Sequence, residues 1–198
     1  MFISIITVNL NNRLGLEKTM HSVINQTSAD YEWIVIDGGS TDGSKELLEK
    51  NNENISYWVS EPDNGIYNAM NKGIERSSGE YLLFLNSGDS LHSDNVISEF
   101  ADSNPTCEIV CCRELINNGI TPVVPPEDIN YQWFLIKANS LPHQATFVKR
   151  AAFMRYGEYD DKYEIVADFK WFSNALIRFD ATYEIRDIVV SDFEGGGD

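Results

Sequence analysis

The chain has 198 residues, 42% of them hydrophobic, enough to bury one ordinary core and without any sign of two independent units, so one domain over residues 1–198 is expected. With 15 Lys and Arg against 31 Asp and Glu, the formal charge is -16. Duplex nucleic acid would be repelled over most of the surface and is excluded as a partner. A ligand such as a diphosphate then needs a divalent cation, backbone N–H groups or a few well-placed Lys and Arg to offset the repulsion.

Met1 to Val8 lacks a basic leader and is too short to span a bilayer, so it reads as core rather than as a signal, and no export is expected. Phe2 to Asn9 is strand one. Leu14, Leu16, Met20, Val23 and Ile24 then fall at near-helical spacing, which predicts a helix over Leu14 to Gln26 packed on the sheet. Tyr31 to Asp37 is strand two, ending in the turn-forming run Gly38 to Gly43, and Ser44 to Lys50 is a helix. Ile55 to Ser60 is strand three, Ile66 to Arg76 a helix, and Tyr81 to Leu85 strand four, closed by Asn86-Ser87-Gly88-Asp89. This alternation predicts an α/β fold with a mostly parallel, Rossmann-like sheet covered by helices on both faces. Cys107, Cys111 and Cys112 are an odd set without CxxC spacing, two of them adjacent in an apolar run, and read as buried thiols of a reducing compartment. The second half is less regular: a Pro-containing loop at Pro122 to Pro126, an aromatic stretch at Tyr131 to Phe134, and a helix from Asp168 to Ile177.

Polar residues gather where strands one, two and four end, and ligands of open parallel sheets sit beyond those carboxyl ends. Asp37 closes an apolar strand, where a carboxylate can accept hydrogen bonds from a base edge or a ribose hydroxyl. Asp42 is equally explained as a helix cap. Asp89, with the side-chain oxygen of Asn86, has the oxygen chemistry that a cation bridging two phosphates takes, although the same four residues can be a plain turn. Asp168 opens an amphipathic segment, where an acid is ordinarily an N-cap or dipole partner. His143 is by default a packed or solvated residue, Trp133 and Trp171 are core by default, and an exposed tryptophan face would suit a pyranose. The Gly38 to Gly43 run has no GxGxxG and argues against a dinucleotide oxidoreductase. A nucleotidyltransferase would need a basic, Gly-rich N-terminal loop, for which Asn11 to Gly15 is a poor candidate.

The segments Thr7-Val8-Asn9, Val35 to Ser44, Asp63 to Gly73, Phe84 to Asp89, His143 to Phe147 and Ala167-Asp168 together resemble the family 2 inverting glycosyltransferases of GT-A fold, of the bacterial exopolysaccharide, capsule or O-antigen type. The resemblance implies a UDP-sugar donor held by Thr7, Asn9 and Asp37, with Asp63 and Asn71 lining the donor pocket. It implies Mn²⁺ or Mg²⁺ at Asp89 and Asn86, Asp168 as catalytic base, and His143 and Trp171 on the acceptor side. It divides the chain into a nucleotide-sugar half, 1–91, and an acceptor half, 92–198, and implies a glycan or lipid-linked acceptor. It places the protein in the cytoplasm at the inner face of the membrane, with peripheral attachment through C-terminal segments that related sequences carry beyond Asp198. Two departures stand out. The acidic run Asp-x-Asp-Asp is here Asn86-Ser87-Gly88-Asp89, and the Glu-Asp pair is Ala167-Asp168. The thinned acidic run also fits a different class of protein, a non-catalytic nucleotide-sugar-binding scaffold of a polysaccharide assembly complex.

Overall fold

The computed structural model describes residues 2–116, 121–123 and 141–193, so Pro125, Pro126 and the Tyr131 to Phe134 stretch with Trp133 lie outside the described residues. In chain order the elements are β1 (Ile3–Asn9), α1 (Arg13–Ile24), β2 (Tyr31–Asp37), α2 (Ser44–Lys50), β3 (Tyr57–Ser60), α3 (Ile66–Arg76), β4 (Tyr81–Phe84) and β5 (Ser90–Leu91). They continue with α4 (Val96–Asp102), β6 (Ile109–Ile116), β7 (Thr121–Val123), a 3-10 turn (His143–Ala145), β8 (Thr146–Lys149), α5 (Arg150–Tyr156), α6 (Ala167–Ser173), a π turn (Asn174–Arg178) and β9 (Tyr183–Phe193). None of the described helices is long and apolar enough to cross a membrane.

The strands form one sheet in the order β3-β2-β1-β4-β8-β6-β9-β5, with β7 paired to β6. Pairing is parallel from β3 through β4 and again between β6 and β9; β8 joins the two parallel groups antiparallel to both β4 and β6. The α/β, GT-A architecture is therefore present, with its parallel character concentrated in the N-terminal four strands. Strand order reverses at the β1 and β4 neighbours, which opens a crevice at their carboxyl ends.

Period-two alternation makes two cores, one on each face. Ile6, Val8, Ile34, Ile36, Leu82 and Phe84 pack with α3, α5 and α6; Ile3, Ile5, Trp33, Val35, Leu83 and Leu85 pack with α1, α2 and α4. Adjacent Cys111 and Cys112 split between those cores, as neighbours on a strand must. Both are buried, and burial raises both thiol pKa values, that of Cys112 to about 12, as expected for inert thiols. Cys107 is only partly buried.

Two expectations need correction. Leu14 is 75% exposed, because α1 turns Gly15, Leu16, Thr19, Met20 and Val23 inward instead. The helix expected to run from Asp168 to Ile177 ends at Ser173 and continues as a π turn, whose Phe179 N–H reaches the Asn174 carbonyl.

Candidate active site

β1 and β2 end side by side, with Asn9 in register with Asp37. Asp37 is fully buried, and its carboxylate accepts from Asn9 Nδ2 at 2.7 Å, Ser60 Oγ at 2.6 Å, and both the backbone N–H and the hydroxyl of Ser40. Burial alone would raise its pKa, but these four donors outweigh it and hold the group below the ordinary carboxylate value. With its oxygens so engaged, Asp37 fixes the turn after β2 and aims Asn9. The Asn9 amide oxygen is left buried without a hydrogen-bond partner among the described residues.

Asn9 opens onto a cleft of about 550 Å³ at the switch point, of a size that suits a small ligand. Asp63, Gly65 and Ile66 line one wall; Asn86, Gly88 and Asp89 line another. The Asn86 to Asp89 loop is a tight turn, Asp89 N–H to Asn86 carbonyl, and it is fastened to α1. Thr19 Oγ1 accepts from Gly88 N–H and donates to the Asp89 carbonyl at 2.6 Å, while Asn12 Nδ2 donates to the Ser87 carbonyl. Gly88 has φ +107°, a region closed to most side chains, so glycine is what lets the chain turn Asp89 into the cleft.

Beyond this loop a line of polar contacts leads away from the cleft. Asn86 Nδ2 meets His143 Nε2 at 3.1 Å, His143 Nδ1 faces Asp168 Oδ2 at 3.4 Å, and Tyr67 donates its hydroxyl to Asp168 Oδ1 at 2.9 Å. An ionised Asp168 accepts from a proton on Nδ1, and the Asn86 carbonyl oxygen is buried with no partner among the described residues. Burial would raise the Asp168 pKa. The hydrogen bond and charge of His143, the Phe169 backbone N–H and the Tyr67 hydroxyl bring it below the ordinary value.

The structure thus gathers Asn9, Asp63, Asn86 and Asp89 around one cleft and ties His143 and Asp168 to it through Asn86. Four expected residues stand elsewhere, the first being Asp37, whose oxygens are engaged by Asn9, Ser40 and Ser60 and which does not line the cleft. Thr7 is fully buried and its hydroxyl accepts from Trp33 Nε1 at 3.0 Å, so it braces β1 and offers no atom to the cleft. Asn71 does not line the cleft: it donates to the Tyr159 carbonyl at 2.8 Å and accepts from the Tyr159 N–H at 3.1 Å. Trp171 is 5% exposed, stacks on Phe153 at 4.4 Å and donates to the Gly157 carbonyl, which makes it core rather than an acceptor platform. Asp42 takes its capping alternative, accepting from the N–H groups of Ser44 and Arg13 at the starts of α2 and α1.

Two residues of this region escape sequence reasoning. Tyr67 looks like one more aromatic on an amphipathic helix. Glu114 on β6 is 6% exposed with Oε2 unpartnered among the described residues, and lies within electrostatic reach of His143 and Asp89. Only an Arg113-Glu114 pair interrupting an apolar strand run hinted at it.

A cation fits what is present. Among the described residues no group of three or more His, Cys, Asp or Glu stands close enough to hold a metal. Asn86, whose side-chain oxygen is unpartnered among the described residues, and Asp89 both line the cleft and carry the oxygen chemistry a hard cation takes where phosphates complete its shell.

The sequence pattern described as Glycosyl transferase family 2 matches residues 4–186. An uncharacterized glycosyltransferase of Mycobacterium tuberculosis (strain CDC 1551 / Oshkosh) is 33% identical over 180 residues, covering 88% of this chain and 69% of its own. The PGL/p-HBAD biosynthesis glycosyltransferase of Mycobacterium bovis (strain BCG / Pasteur 1173P2) is 28% identical over 212 residues, covering 98% and 77%. Among solved structures, S. aureus TarS 1-349 in complex with UDP-GlcNAc superposes with a TM-score of 0.81 at 16% identity, over all of this chain and 60% of its own. The mannosyltransferase PcManGT from Pyrobaculum calidifontis, in complex with GDP-Man and Mn2+, gives 0.70 at 18% identity, over 96% of this chain and 56% of its own.

Proposed function

This chain belongs to glycosyl transferase family 2, and from that premise we propose that it moves a sugar from a UDP-sugar to a hydroxyl of a glycan or lipid-linked acceptor, inverting the anomeric carbon, in the synthesis of a cell-surface polysaccharide. The observation that carries the reading is the line of contacts joining the cleft at Asn86 to an ionised, largely buried Asp168 through His143. The UDP-GlcNAc held by TarS supports the donor class, and the relative named for PGL/p-HBAD biosynthesis supports a cell-envelope acceptor. The GDP-Man of PcManGT makes a guanosine donor the alternative to test. Asn9 carries an unsatisfied amide oxygen suited to the imino N–H of uracil. The nucleotide half is residues 1–91 and the acceptor half 92–198, working in the cytoplasm at the inner face of the membrane.

In the reaction the acceptor oxygen forms a bond to the anomeric carbon while the bond from that carbon to the diphosphate breaks, and the hydroxyl proton passes to Asp168. Its low pKa keeps Asp168 ionised at neutral pH and ready to accept. His143 and Tyr67 each engage one carboxylate oxygen, which fixes the plane of the group while leaving lone pairs for the incoming proton. Asp89 and Asn86 would hold Mn²⁺ or Mg²⁺, which when bound offsets the charge gathering on the leaving diphosphate. Single displacement needs one carboxylate behind the acceptor and no covalent sugar intermediate.

Asp168→Asn keeps the shape and removes the base. It should bind UDP as the wild type does by calorimetry, while release of UDP from a UDP-sugar slows by roughly a hundredfold to ten-thousandfold. Turnover equal to wild type would remove Asp168 from the mechanism, and a wild type that binds UDP-sugars without ever releasing UDP would favour the scaffold reading.

A further inference from the structure

α3 has two working faces. Its first turn reaches the cleft through Gly65, Ile66 and Ala69. Its other face grips the stretch that leads into α6: the Tyr67 hydroxyl holds Asp168 Oδ1 at 2.9 Å, Asn68 Nδ2 donates to Asp161 Oδ2 at 3.0 Å, and Asn71 makes a reciprocal pair with the Tyr159 backbone. The Tyr67 and Tyr159 rings pack at 5.5 Å, and Tyr67 is 7% exposed, so its hydroxyl is directed by a packed ring and has little freedom to rotate away. The segment being gripped contains Val166 at φ +71°, a costly conformation for a β-branched residue, only two positions before Asp168. A carboxylate at the start of a seven-residue helix, entered through a strained residue, keeps its place only if something outside that helix fixes it.

We infer that Tyr67 is a positioning residue for Asp168, and that α3, with Asn71 as its second fastening, sets the distance and orientation of that carboxylate relative to the donor cleft. This rests on the role given to Asp168 above. The cleft is lined mainly by residues of the first half of the chain and Asp168 lies in the second, and α3 touches both. Acceptor attack needs Asp168 in line with the hydroxyl, and a displacement of about 1 Å can cost on the order of a hundredfold in rate. Tyr67 does not exchange the proton itself: burial first, then the neighbouring Asp168 charge, push its own pKa well above the ordinary 10.0, so it remains a donor throughout.

The test is Tyr67→Phe, which deletes one oxygen from a packed ring. The expected result is a roughly ten- to hundredfold fall in kcat, with the UDP-sugar KM and the UDP dissociation constant within about twofold of wild type. A structural role alone would move the urea midpoint or the donor KM and leave kcat in place, and that result would overturn the inference. The decisive arm is the double variant Tyr67→Phe with Asp168→Asn. If Tyr67 acts through Asp168, removing the hydroxyl costs nothing further once the carboxylate is gone. An equal loss in both backgrounds would overturn the inference while leaving Asp168 as the base. Unchanged turnover in Asp168→Asn alone would instead fail the proposed mechanism, and this inference with it.

Discussion

Position 114 places a carboxylate where its charge is poorly tolerated. Burial, partly relieved by His143 and reinforced by Asp89, pushes the Glu114 carboxyl up to about 7 from 4.5. Between those two values the unfolded chain gives up this proton while the folded chain keeps it, so Glu114 lowers stability progressively as pH rises from about 4.5 to about 7 and adds no further slope above that. Asp37 and Asp168 act in the opposite sense. Their folded pKa values lie below the ordinary 3.8, so their contribution is present above that value and is lost as pH falls through the folded pKa. Glu114→Gln should therefore flatten the decline of the urea midpoint between pH 4.5 and 7 while leaving the acid limb intact. Parallel wild-type and variant curves across that window would show that Glu114 ionises as freely in the folded chain as in the unfolded one.

Among the elements, α3 is closely held by its surroundings. Its amphipathic pattern and its length are readable from Ile66 to Arg76, and the structure reproduces both bounds. The closeness of its approach is set by Gly73, where an added Cβ would come within 2.4 Å of Ile6 Cγ2, on a fully buried side chain of β1 that cannot retreat. Gly73→Ala gains up to about 1 kcal/mol of helix propensity and loses about 1–3 kcal/mol to overpacking. The variant should therefore be less stable in urea and, because Tyr67 and Asn71 ride on the same helix, slower in turnover. A variant more stable than wild type would show that α3 can shift off β1 without strain. By contrast, α6 and its π turn did not follow their sequence period. A 3.6-residue pattern over Asp168 to Ile177 does not register the wider turn that begins at Asn174.

For the molecule as a whole, a formal charge of -16 must coexist with the proposed nucleotide-diphosphate donor. The cleft answers this with an amide oxygen and a carboxylate rather than a basic cluster, so the cation and the nucleotide should bind interdependently. UDP at a hundredfold excess over its dissociation constant should add about 2.7 kcal/mol to stability. For a chain of this size that is a rise in melting temperature of roughly 5–10 °C. Mn²⁺ should enlarge the UDP shift and give little shift alone. A melting temperature that ignores UDP with and without Mn²⁺, or that answers only to GDP, would overturn the donor assignment.

The order of strands and helices through β4, the two-sided apolar patterning and the polar ends of β1, β2 and β4 were all legible in the sequence, because each depends on spacing within a few residues. Asn9, Asn86 and Asp89 followed from that placement and Asp63 from the family resemblance, and the four do meet at one cleft. What the chain alone did not reveal was which polar atoms face ligand and which are consumed inside the protein. Thr7, Asn71 and Trp171 carry suitable groups, but partners 26, 88 and 14 positions away occupy them. Asp168 owes its low pKa first to His143, 25 residues distant, then to the neighbouring Phe169 N–H and to Tyr67, 101 residues distant. Such pairings depend on strand order and helix approach, which bring distant residues within hydrogen-bond range only once the sheet has formed, so the tertiary structure alone decided them.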